Sequence, residues 1–401
     1  MKRFGILLSI LLLSITWQMR TTTVQGSREA SPIVELMPHS ALAQSFANGW
    51  VIVDFSSYSG AFTSIAIDSN DLVHISHVHE GALMYTRQYR IGDEVWWATY
   101  TVPTGAVEVM ETSLTLDEND RPYIAYYDQT NQNLSWAWWP EGGNWSVETR
   151  NTVGEIDGRR LSAVVRGGGL HVAYSNVSSS SVEYIEITPG GGGWPPTPQT
   201  VATSVDAVAD VSLALRSDDL PRISFHTDDG RLMYARYNGS AWSLDALDGS
   251  VEHPMGACSS LALTADNRAR IAYYDGTGEA QVLRQISYLL LGWGAPGVVD
   301  DDLGSICYTS LAIDDQGYSR ILYYDGHQSP GDYDGSLRYA QQRNGSGWSF
   351  ETVDGPTNSC GMHSALALDS EGRPHASYYC GHLKYAYRAF TVYLPAVMRG
   401  Q

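Results

Sequence analysis

Short runs in which apolar and polar residues alternate recur along the chain at a nearly constant interval. The runs begin at Ser64, Ser113, Ser162, Ser212, Ser260, Ser310 and Ala365, so successive starts lie 48 to 55 residues apart. Alternation with a period of two predicts β-strands, because neighbouring side chains of a strand point to opposite faces. A period near 50 residues indicates a repeat architecture built from one strand-rich unit.

Each repeat carries the signals of four strands. In the second repeat, the first two are Ser113-Leu-Thr-Leu-Asp117 and Tyr123-Ile-Ala-Tyr-Tyr-Asp128, with turn-forming residues between them. A Leu-x-Tyr-Ala run follows, as at residues 337–340, and a segment that opens on tryptophan ends the unit, as at Trp348–Asp354. This pattern predicts an all-β fold, a seven-bladed β-propeller of four-stranded antiparallel blades.

The seventh repeat lacks a fourth strand, and the chain supplies one at its other end. No Gly-x-Trp segment follows residues 385–388, whereas Asn48-Gly-Trp50-Val-Ile-Val-Asp54 precedes the first repeat. We therefore expect the N-terminal strand to complete the last blade and close the ring, which removes two unpaired sheet edges. The propeller is predicted to span residues 46–389, with a linker at 27–45 and a tail at 390–401.

Residues 1–26 have the pattern of a secretory signal peptide. Lys2 and Arg3 precede a short apolar run at residues 6–15, which is too short to span a bilayer comfortably. An uncleaved N-terminal anchor is the alternative. Because no other long apolar segment occurs, we expect no membrane insertion after signal removal, and we predict a monomeric protein that is secreted or lies at the cell surface.

Charge then narrows the set of partners. The chain has 44 acidic residues against 25 lysines and arginines, a formal net charge of −19. Proteins that bind nucleic acid need a basic face, and anionic membranes attract basic segments, so we expect neither nucleic acid nor an anionic membrane as a partner.

The tryptophans follow the repeat. Seven of the 12 fall at one fourth-strand position per blade: Trp50, Trp97, Trp145, Trp194, Trp242, Trp293 and Trp348.

The pattern Ser-Leu-Ala-Leu-Asp, Pro-x-Ile-x-Tyr-Tyr-Asp, Leu-x-Tyr-Ala and Trp resembles a repeat class of secreted bacterial propellers. That class is loosely grouped with sialidase-like and fucose-lectin-like propellers, and the resemblance covers nearly the whole chain after the signal. The sialidase box Ser-x-Asp-x-Gly-x-Thr-Trp is absent. The resemblance implies the fold rather than an activity, because propellers host many functions. No catalytic residue is therefore carried over.

The candidate site lies on one face of the disc, the funnel face, where second strands end and first strands begin. We predict that a ligand site there includes Tyr127, Asp128, His226, Tyr274, Asp275, Tyr324, Asp325 and Tyr379, and that His79, Tyr308 and His363 share this face. Carboxylates accept hydrogen bonds from sugar hydroxyls, and aromatic faces pack on sugar rings. The alternative is structural, because a recurrent Tyr-Tyr-Asp also suits a strand followed by a turn.

Two functional hypotheses follow. The first is a binding module that recognises a glycan or another extracellular ligand, protein included, without a cofactor. The second is a carbohydrate-active enzyme, a glycoside hydrolase or polysaccharide lyase, that uses a residue such as Asp128, Tyr274 or His226. A scaffold without a small-molecule site is a third reading.

The positions of the arginines bear on the charge of the ligand. Four of them fall on the opposite face, the turn face: Arg121, Arg222, Arg270 and Arg320. Their absence from the funnel disfavours anionic ligands there.

The four cysteines fall at related places in blades five to seven. We predict the disulfides Cys360–Cys380, within blade seven, and Cys258–Cys307, between blades five and six; other pairings and free thiols are the alternatives.

His77 and His79 lie on one side of a predicted strand. With a third ligand such as Glu80 they form a weak candidate for a metal site, and an ordinary strand is the alternative.

Overall fold

The computed structural model describes residues 33–140, 143–150, 157–191, 196–204, 210–250, 255–276, 281–326, 335–344, 347–356 and 360–388. These residues form strands β1 to β31 and one short 3-10 turn, His39–Ala41. Within the same ranges, no helix is long and apolar enough to cross a membrane.

The strands follow the sequence repeat. Ahead of the first repeat lie β1 (Ile33–Pro38), β2 (Ala43–Ala47) and β3 (Trp50–Phe55). Blade 1 contains β4 (Ala61–Ile67), β5 (Val73–His79), β6 (Ala82–Ile91) and β7 (Glu94–Thr101). Blade 2 contains β8 (Val109–Leu116), β9 (Pro122–Asp128), β10 (Asn133–Trp138) and β11 (Ser146–Thr149). Blade 3 contains β12 (Asp157–Arg166), β13 (Gly169–Asn176), β14 (Ser181–Ile187) and β15 (Gln199–Thr203).

The second half of the ring continues in the same way. Blade 4 contains β16 (Val211–Leu215), β17 (Pro221–His226), β18 (Arg231–Tyr237) and β19 (Trp242–Gly249). Blade 5 contains β20 (Met255–Leu263), β21 (Ala269–Asp275), β22 (Gln281–Leu289), β23 (Gly292–Trp293) and β24 (Gly297–Leu303). Blade 6 contains β25 (Ser305–Ile313), β26 (Ser319–Gly326), β27 (Ser336–Gln342) and β28 (Trp348–Asp354). Blade 7 contains β29 (Met362–Leu368), β30 (Pro374–Tyr379) and β31 (Leu383–Arg388).

Seven sheets surround a central axis, which confirms the predicted all-β, seven-bladed propeller. The first strand of each blade lies at the centre and the last strand at the outside. First strands of successive blades lie side by side, and β29 lies beside β4, so the ring is closed. Three blades have five strands instead of four, because β1 joins blade 1, β2 joins blade 7, and the outer strand of blade 5 is divided into β23 and β24.

The N-terminal strand β3 completes the last blade, as the sequence predicts. It pairs antiparallel with β31 in a register that runs from Trp50 opposite Arg388 to Phe55 opposite Leu383. On its outer side β3 pairs with β2, while β1 pairs with β7 at the edge of blade 1. The described part of the segment expected to be a linker, residues 27–45, therefore contributes to two strands. Both strands lie outside the 50-residue pattern, so periodicity does not reveal them.

The serine that opens each repeat joins its blade to the next one. Its hydroxyl oxygen accepts a hydrogen bond from a backbone N–H in the first strand of the following blade, at O···N distances of 2.9 to 3.1 Å. These six residues form the serine ring: Ser64, Ser113, Ser162, Ser212, Ser260 and Ser310. Ala365 takes this position in blade 7, so the junction between blades 7 and 1 has no such hydroxyl.

The first tyrosine of the Tyr-Tyr-Asp run also joins neighbouring blades. Tyr323 is fully buried and donates a hydrogen bond of 2.5 Å to Asp300 in the outer strand of the preceding blade. Tyr378 makes the same contact with Asp354, at 2.8 Å. The fourth-strand aspartates of the repeat therefore hold buried tyrosines, and these repeated residues build the ring.

Candidate functional site

The first strands carry a bulge close to the funnel face. In six blades the pairing of the first and second strands shifts by a residue there, and one non-glycine residue has a φ between 49° and 60°. A bulge turns a side chain away from the regular alternation, and a left-handed backbone costs a non-glycine residue about 1 kcal/mol. Together with the residue at the same place in blade 4, these positions form the cavity ring: Phe62, Glu111, Arg160, Asp210, Cys258, Tyr308 and His363.

The cavity ring encloses a depression on the axis of the propeller. The depression has a volume of about 200 Å³ and is lined by two consecutive residues from every blade. One of each pair is the cavity-ring residue, and the other is the residue that follows it: Thr63, Thr112, Leu161, Val211, Ser259, Thr309 and Ser364. All seven blades thus contribute side chains to one site at the centre of the funnel face.

Hydroxyl groups of the second set fix the backbone of the cavity ring. Three of them donate to the carbonyl of a cavity-ring residue in the preceding blade: Thr63 to His363 (2.7 Å), Thr112 to Phe62 (2.8 Å) and Ser364 to Tyr308 (2.9 Å). The bulges at His363, Phe62 and Tyr308 are therefore held by the next blade as well as by their own strands. Such support from a rigid frame is what a preorganised binding site requires.

One half of the cavity is aromatic. The ring of His363 lies between Phe62 and Tyr308, at centroid distances of 4.3 and 4.6 Å, and Tyr379 lies 6.4 Å from it. Burial, and then the charge of Arg160, lower the pKa of His363 to about 4, so its imidazole is neutral near pH 7. Burial raises the pKa of Tyr308, whose hydroxyl therefore stays protonated. This half offers flat apolar faces and neutral hydrogen-bonding groups.

The other half carries charge, contributed by blades 2 to 4. Arg160 forms an ion pair of 3.4 Å with Asp210, and its backbone N–H donates to the carboxylate of Glu111. The Asp210 carboxylate also accepts the backbone N–H of Cys258, at 3.0 Å. The Nε of Arg160 is buried and has no hydrogen-bond partner among the described residues. Among the described side chains that line this half, two carboxylates stand against one guanidinium.

The three aspartates expected at the site have structural partners. Asp128 accepts the backbone N–H and the side-chain amide of Asn131, at 3.0 and 2.8 Å, and so forms a turn. Asp275 pairs with Arg284 at 2.7 Å. Asp325 pairs with Arg338 at 3.2 Å. All three are buried and none lines the central cavity, which agrees with the structural alternative for the Tyr-Tyr-Asp run.

The expected tyrosines and histidine surround the cavity without lining it. Tyr127 is buried, whereas Tyr274, Tyr324, Tyr379 and His226 are partly exposed at the funnel-face ends of their strands. Two members of the wider set expected on this face, Tyr308 and His363, do form the cavity wall. His79 lies at the same face and accepts the backbone N–H of Ser59 through Nδ1, at 3.0 Å.

The weak metal candidate consists of residues with protein partners. Nε2 of His77 lies 3.1 Å from the hydroxyl of Thr86, and the rings of His77 and His79 both pack against Tyr58. Burial lowers the pKa of His77 to about 3. Among the described residues, the group of three or more ligand atoms close enough for a metal contains both cysteines of a disulfide, which are not free to bind one.

The disulfide predicted within blade 7, Cys360–Cys380, is confirmed. Cys258 is disulfide-bonded as well, while its predicted partner Cys307 has a side chain outside the described residues. Cys258 belongs to the cavity ring, so a disulfide forms part of the wall of the site.

Sequence reasoning missed most of the cavity ring, although a signal was available. When the seven repeats are aligned, the cavity ring is the position two residues before the residue that opens each repeat, and it holds seven different residue types in seven blades. The neighbouring positions of the alignment hold fewer residue types. The left-handed cavity-ring residues are themselves not glycine, whereas glycines with positive φ recur two residues ahead of them in four blades, at Gly60, Gly158, Gly256 and Gly361.

Comparison with known proteins shows the fold. No protein-family model and no curated protein matches the chain. A polysaccharide lyase, an ulvan lyase of the PL25 family bound to a GlcA(1-4)Rha3S saccharide, is 13% identical, with 82% of this chain and 94% of that one covered and a TM-score of 0.56. A catalytically inactive virginiamycin B lyase from Staphylococcus aureus is 9% identical, with coverage of 84% and 98% and a TM-score of 0.50. An arginine-substituted variant of AofleA from Arthrobotrys oligospora is 17% identical, with coverage of 74% and 87% and a TM-score of 0.50.

Proposed function

We propose that the protein is a carbohydrate-binding propeller that holds a neutral sugar in its central cavity. The observation that carries the proposal is the division of the cavity ring into an aromatic half and a polar, charged half. A sugar has apolar C–H faces and a hydroxyl rim, so it can pack on Phe62, His363 and Tyr308 while its hydroxyls face Glu111 and Arg160.

Size and charge define the ligand further. The cavity, about 200 Å³, is smaller than the roughly 300–1,000 Å³ of a site for a drug-sized ligand, so we expect it to take one sugar residue, such as the end of a glycan chain. The negative excess of Glu111 and Asp210 over Arg160 opposes a second negative charge. A neutral sugar therefore fits better than a uronate or a sialate.

A binding role suits the site better than catalysis. The carboxylates of Glu111 and Asp210 each accept a backbone N–H, and the carboxylate of Asp128 is occupied by Asn131. Acids that hold the frame in this way are poorly placed to transfer protons. The enzyme hypothesis, with Asp128, Tyr274 or His226, stays a prediction that activity assays on polysaccharides would test.

We also propose an extracellular location. A disulfide such as Cys360–Cys380 is stable in oxidising compartments and rare in reducing ones. The saccharide-bound lyase among the structural neighbours has the same kind of fold. The signal peptide at residues 1–26 stays a prediction, and N-terminal sequencing of the exported protein would test it.

The test of the proposed function is a glycan array followed by calorimetry with the neutral sugars that bind. Arg160→Ala should weaken binding at least tenfold, because it removes the guanidinium from the cavity. Arg166→Ala is a matched control, since Arg166 lies at the other end of the same strand and pairs with Asp219 at 3.3 Å, close to the 3.4 Å of the Arg160 pair. Equal affinities for the two variants, or no binding to any glycan, would contradict the proposal.

A further inference from the structure

A larger cavity lies on the turn face, between blades 1 and 2. It has a volume of about 600 Å³, three times that of the central cavity. We call it the inter-blade cavity, and its lining residues come from the first turns of both blades and from the outer hairpin of blade 2. Those that carry the argument are Asp68, Asn70, Arg87, Asn119, Asp120 and Trp139.

Arg87 is the unusual residue of this cavity. Its guanidinium lies between two aromatic rings, 4.0 Å from the centroid of Tyr89 and 5.2 Å from that of Trp139. The Nε atom is buried, and no described residue accepts a hydrogen bond from it. No carboxylate in the described ranges lies within ion-pair distance of Arg87 either. The phenol groups of Tyr85, Tyr89 and Tyr100 lie close to this guanidinium and can accept from it. Because a guanidinium has five N–H donors, this one still retains capacity for an external acceptor.

The repeat itself provides a comparison. Arg87 ends the run Leu-Met-Tyr-Thr-Arg in blade 1, and Arg236 ends the run Leu-Met-Tyr-Ala-Arg in blade 4. Arg236 pairs with Asp245 of the neighbouring strand at 3.2 Å. The residue that corresponds to Asp245 in blade 1 is Tyr100, so the internal carboxylate is absent there. The arginine at this repeat position therefore has a carboxylate partner in blade 4, whereas the arginine of blade 1 has none among the described residues.

The acids that line the cavity are already engaged. Asp68 accepts the backbone N–H groups of Asn70 and Leu72, both at 2.8 Å. Asp120 accepts the backbone N–H and the hydroxyl of Ser69, at 2.9 and 2.5 Å. Asp68 thus holds its own turn and Asp120 joins the two blades. Both keep their negative charge, and neither lies within ion-pair distance of Arg87.

A second cation of the cavity has a partner inside the protein. Arg121 is bound to Asp117 by an ion pair of 2.6 Å.

We propose that the inter-blade cavity is a second ligand site and binds an acidic saccharide whose oxyanion pairs with Arg87. A carboxylate or sulfate group would accept the unused guanidinium donors. Trp139 and Pro140 supply an apolar wall for a sugar ring, and the amides of Asn70 and Asn119 supply partners for hydroxyls. This site differs from the central cavity in that its arginine, unlike Arg160, has no carboxylate within ion-pair distance among the described residues. The inference does not depend on the function proposed for that cavity.

The experiment uses the full chain, with galacturonate as the acidic probe, methyl galactoside as its neutral match and inorganic sulfate as a bare oxyanion. Calorimetry should show that Arg87→Gln weakens galacturonate binding at least tenfold. Arg236→Gln is the matched control, because it removes an arginine from the same repeat position, and it should leave binding unchanged. Trp139→Leu should weaken binding of galacturonate while keeping the charge of Arg87.

A direct readout does not depend on how well these variants fold. In the unsubstituted protein, the Nε–H resonance of Arg87, assigned by its loss in Arg87→Lys, should shift with galacturonate and stay in place with methyl galactoside. The proposal is overturned if galacturonate leaves this resonance unmoved, if sulfate shifts it at the same concentration as galacturonate does, which would mean that no sugar is recognised, or if Arg87→Gln binds galacturonate as well as the unsubstituted protein does.

Discussion

The serine ring and the cavity ring are neighbours on the same first strands, only two residues apart, and they differ in almost every respect. The serine ring repeats one residue type in six blades and places each hydroxyl on a backbone N–H of the next blade. The cavity ring has a different residue type in every blade, a left-handed backbone in six of them, and side chains that face a cavity. The residue type that repeats from blade to blade holds the blades together, whereas the residue types that vary line the central cavity.

This difference has a physical origin. A hydrogen bond between blades has the same geometry at every junction, so one short side chain satisfies it everywhere. A ligand on the central axis has no sevenfold symmetry, so it needs a different group from each blade. If these residues bind a ligand, as proposed, they can do so at a cost in stability, which the left-handed conformations and the half-buried His363 both carry.

The largest expected effect is on the pH dependence of the free energy of unfolding, and it comes from His363 of the cavity ring. Its pKa is about 4 in the folded protein against an ordinary value of 6.5, so between these pH values the unfolded chain binds more protons than the folded one. The free energy of unfolding should therefore fall as the pH drops from 6.5 to 4, by roughly 3 kcal/mol for this residue. Denaturant unfolding of His363→Gln should show a loss smaller by about that amount, and equal pH slopes for both proteins would refute the assignment.

The next effect concerns binding. Tyr308→Ala removes an aromatic face next to His363 and should weaken binding of a neutral sugar by about 1.5–3 kcal/mol, or 10- to 100-fold. Its melting temperature should change little, because the hydroxyl and ring face the cavity. Tyr318→Ala, on the turn face, is the control and should bind normally. Calorimetry and thermal melting check both points, and a folded Tyr308→Ala with full affinity would break the comparison between the two rings.

A smaller effect is expected in the serine ring. Ser212→Ala leaves the backbone N–H of Leu261 without its acceptor at 3.0 Å and should lower the free energy of unfolding by about 1–2 kcal/mol. Sugar affinity should stay the same, in contrast to Tyr308→Ala. The measurement is urea unfolding together with calorimetry. A Ser212→Ala protein that binds more weakly at unchanged stability would reverse the roles given to the rings.

The smallest effect tests the missing member of the serine ring. Ala365→Ser restores the hydroxyl at the junction of blades 7 and 1, where the corresponding N–H belongs to Ile65. We expect a gain of about 0.5–1 kcal/mol in the free energy of unfolding, the ordinary net value of one hydrogen bond. Ala241→Ser is the control, because Ala241 is exposed in a turn of blade 4, away from the junctions between first strands. Equal effects of the two substitutions would show that the serine position has no special role.

The fold was accessible from the sequence, whereas the site was accessible only in part. Seven repeats with one missing fourth strand were enough to predict the blade number and the closure by Trp50–Phe55, because both follow from counting strands. Tyr308 and His363, which the sequence places on the funnel face, line the central cavity. Asp128, Asp275 and Asp325 recur from blade to blade, and each has a partner within the protein, while their role in ligand binding stays a prediction. Glu111 and Arg160 lie at bulges that hydrophobic patterning does not register, and Asp210 lies just ahead of a first strand, outside its alternating run.

The way the ring closes has a consequence for folding kinetics. Blades 1 to 6 consist of segments that are close in sequence, so each can pair its strands by local encounters. Blade 7 must bring Trp50–Phe55 to Leu383–Arg388, which lie near opposite ends of the chain. Contacts of such long separation form slowly, since loop entropy is lost before they are made. The docking of β3 on β31 should therefore be the last and slowest event, and a nascent chain remains an open array until its final strand is available.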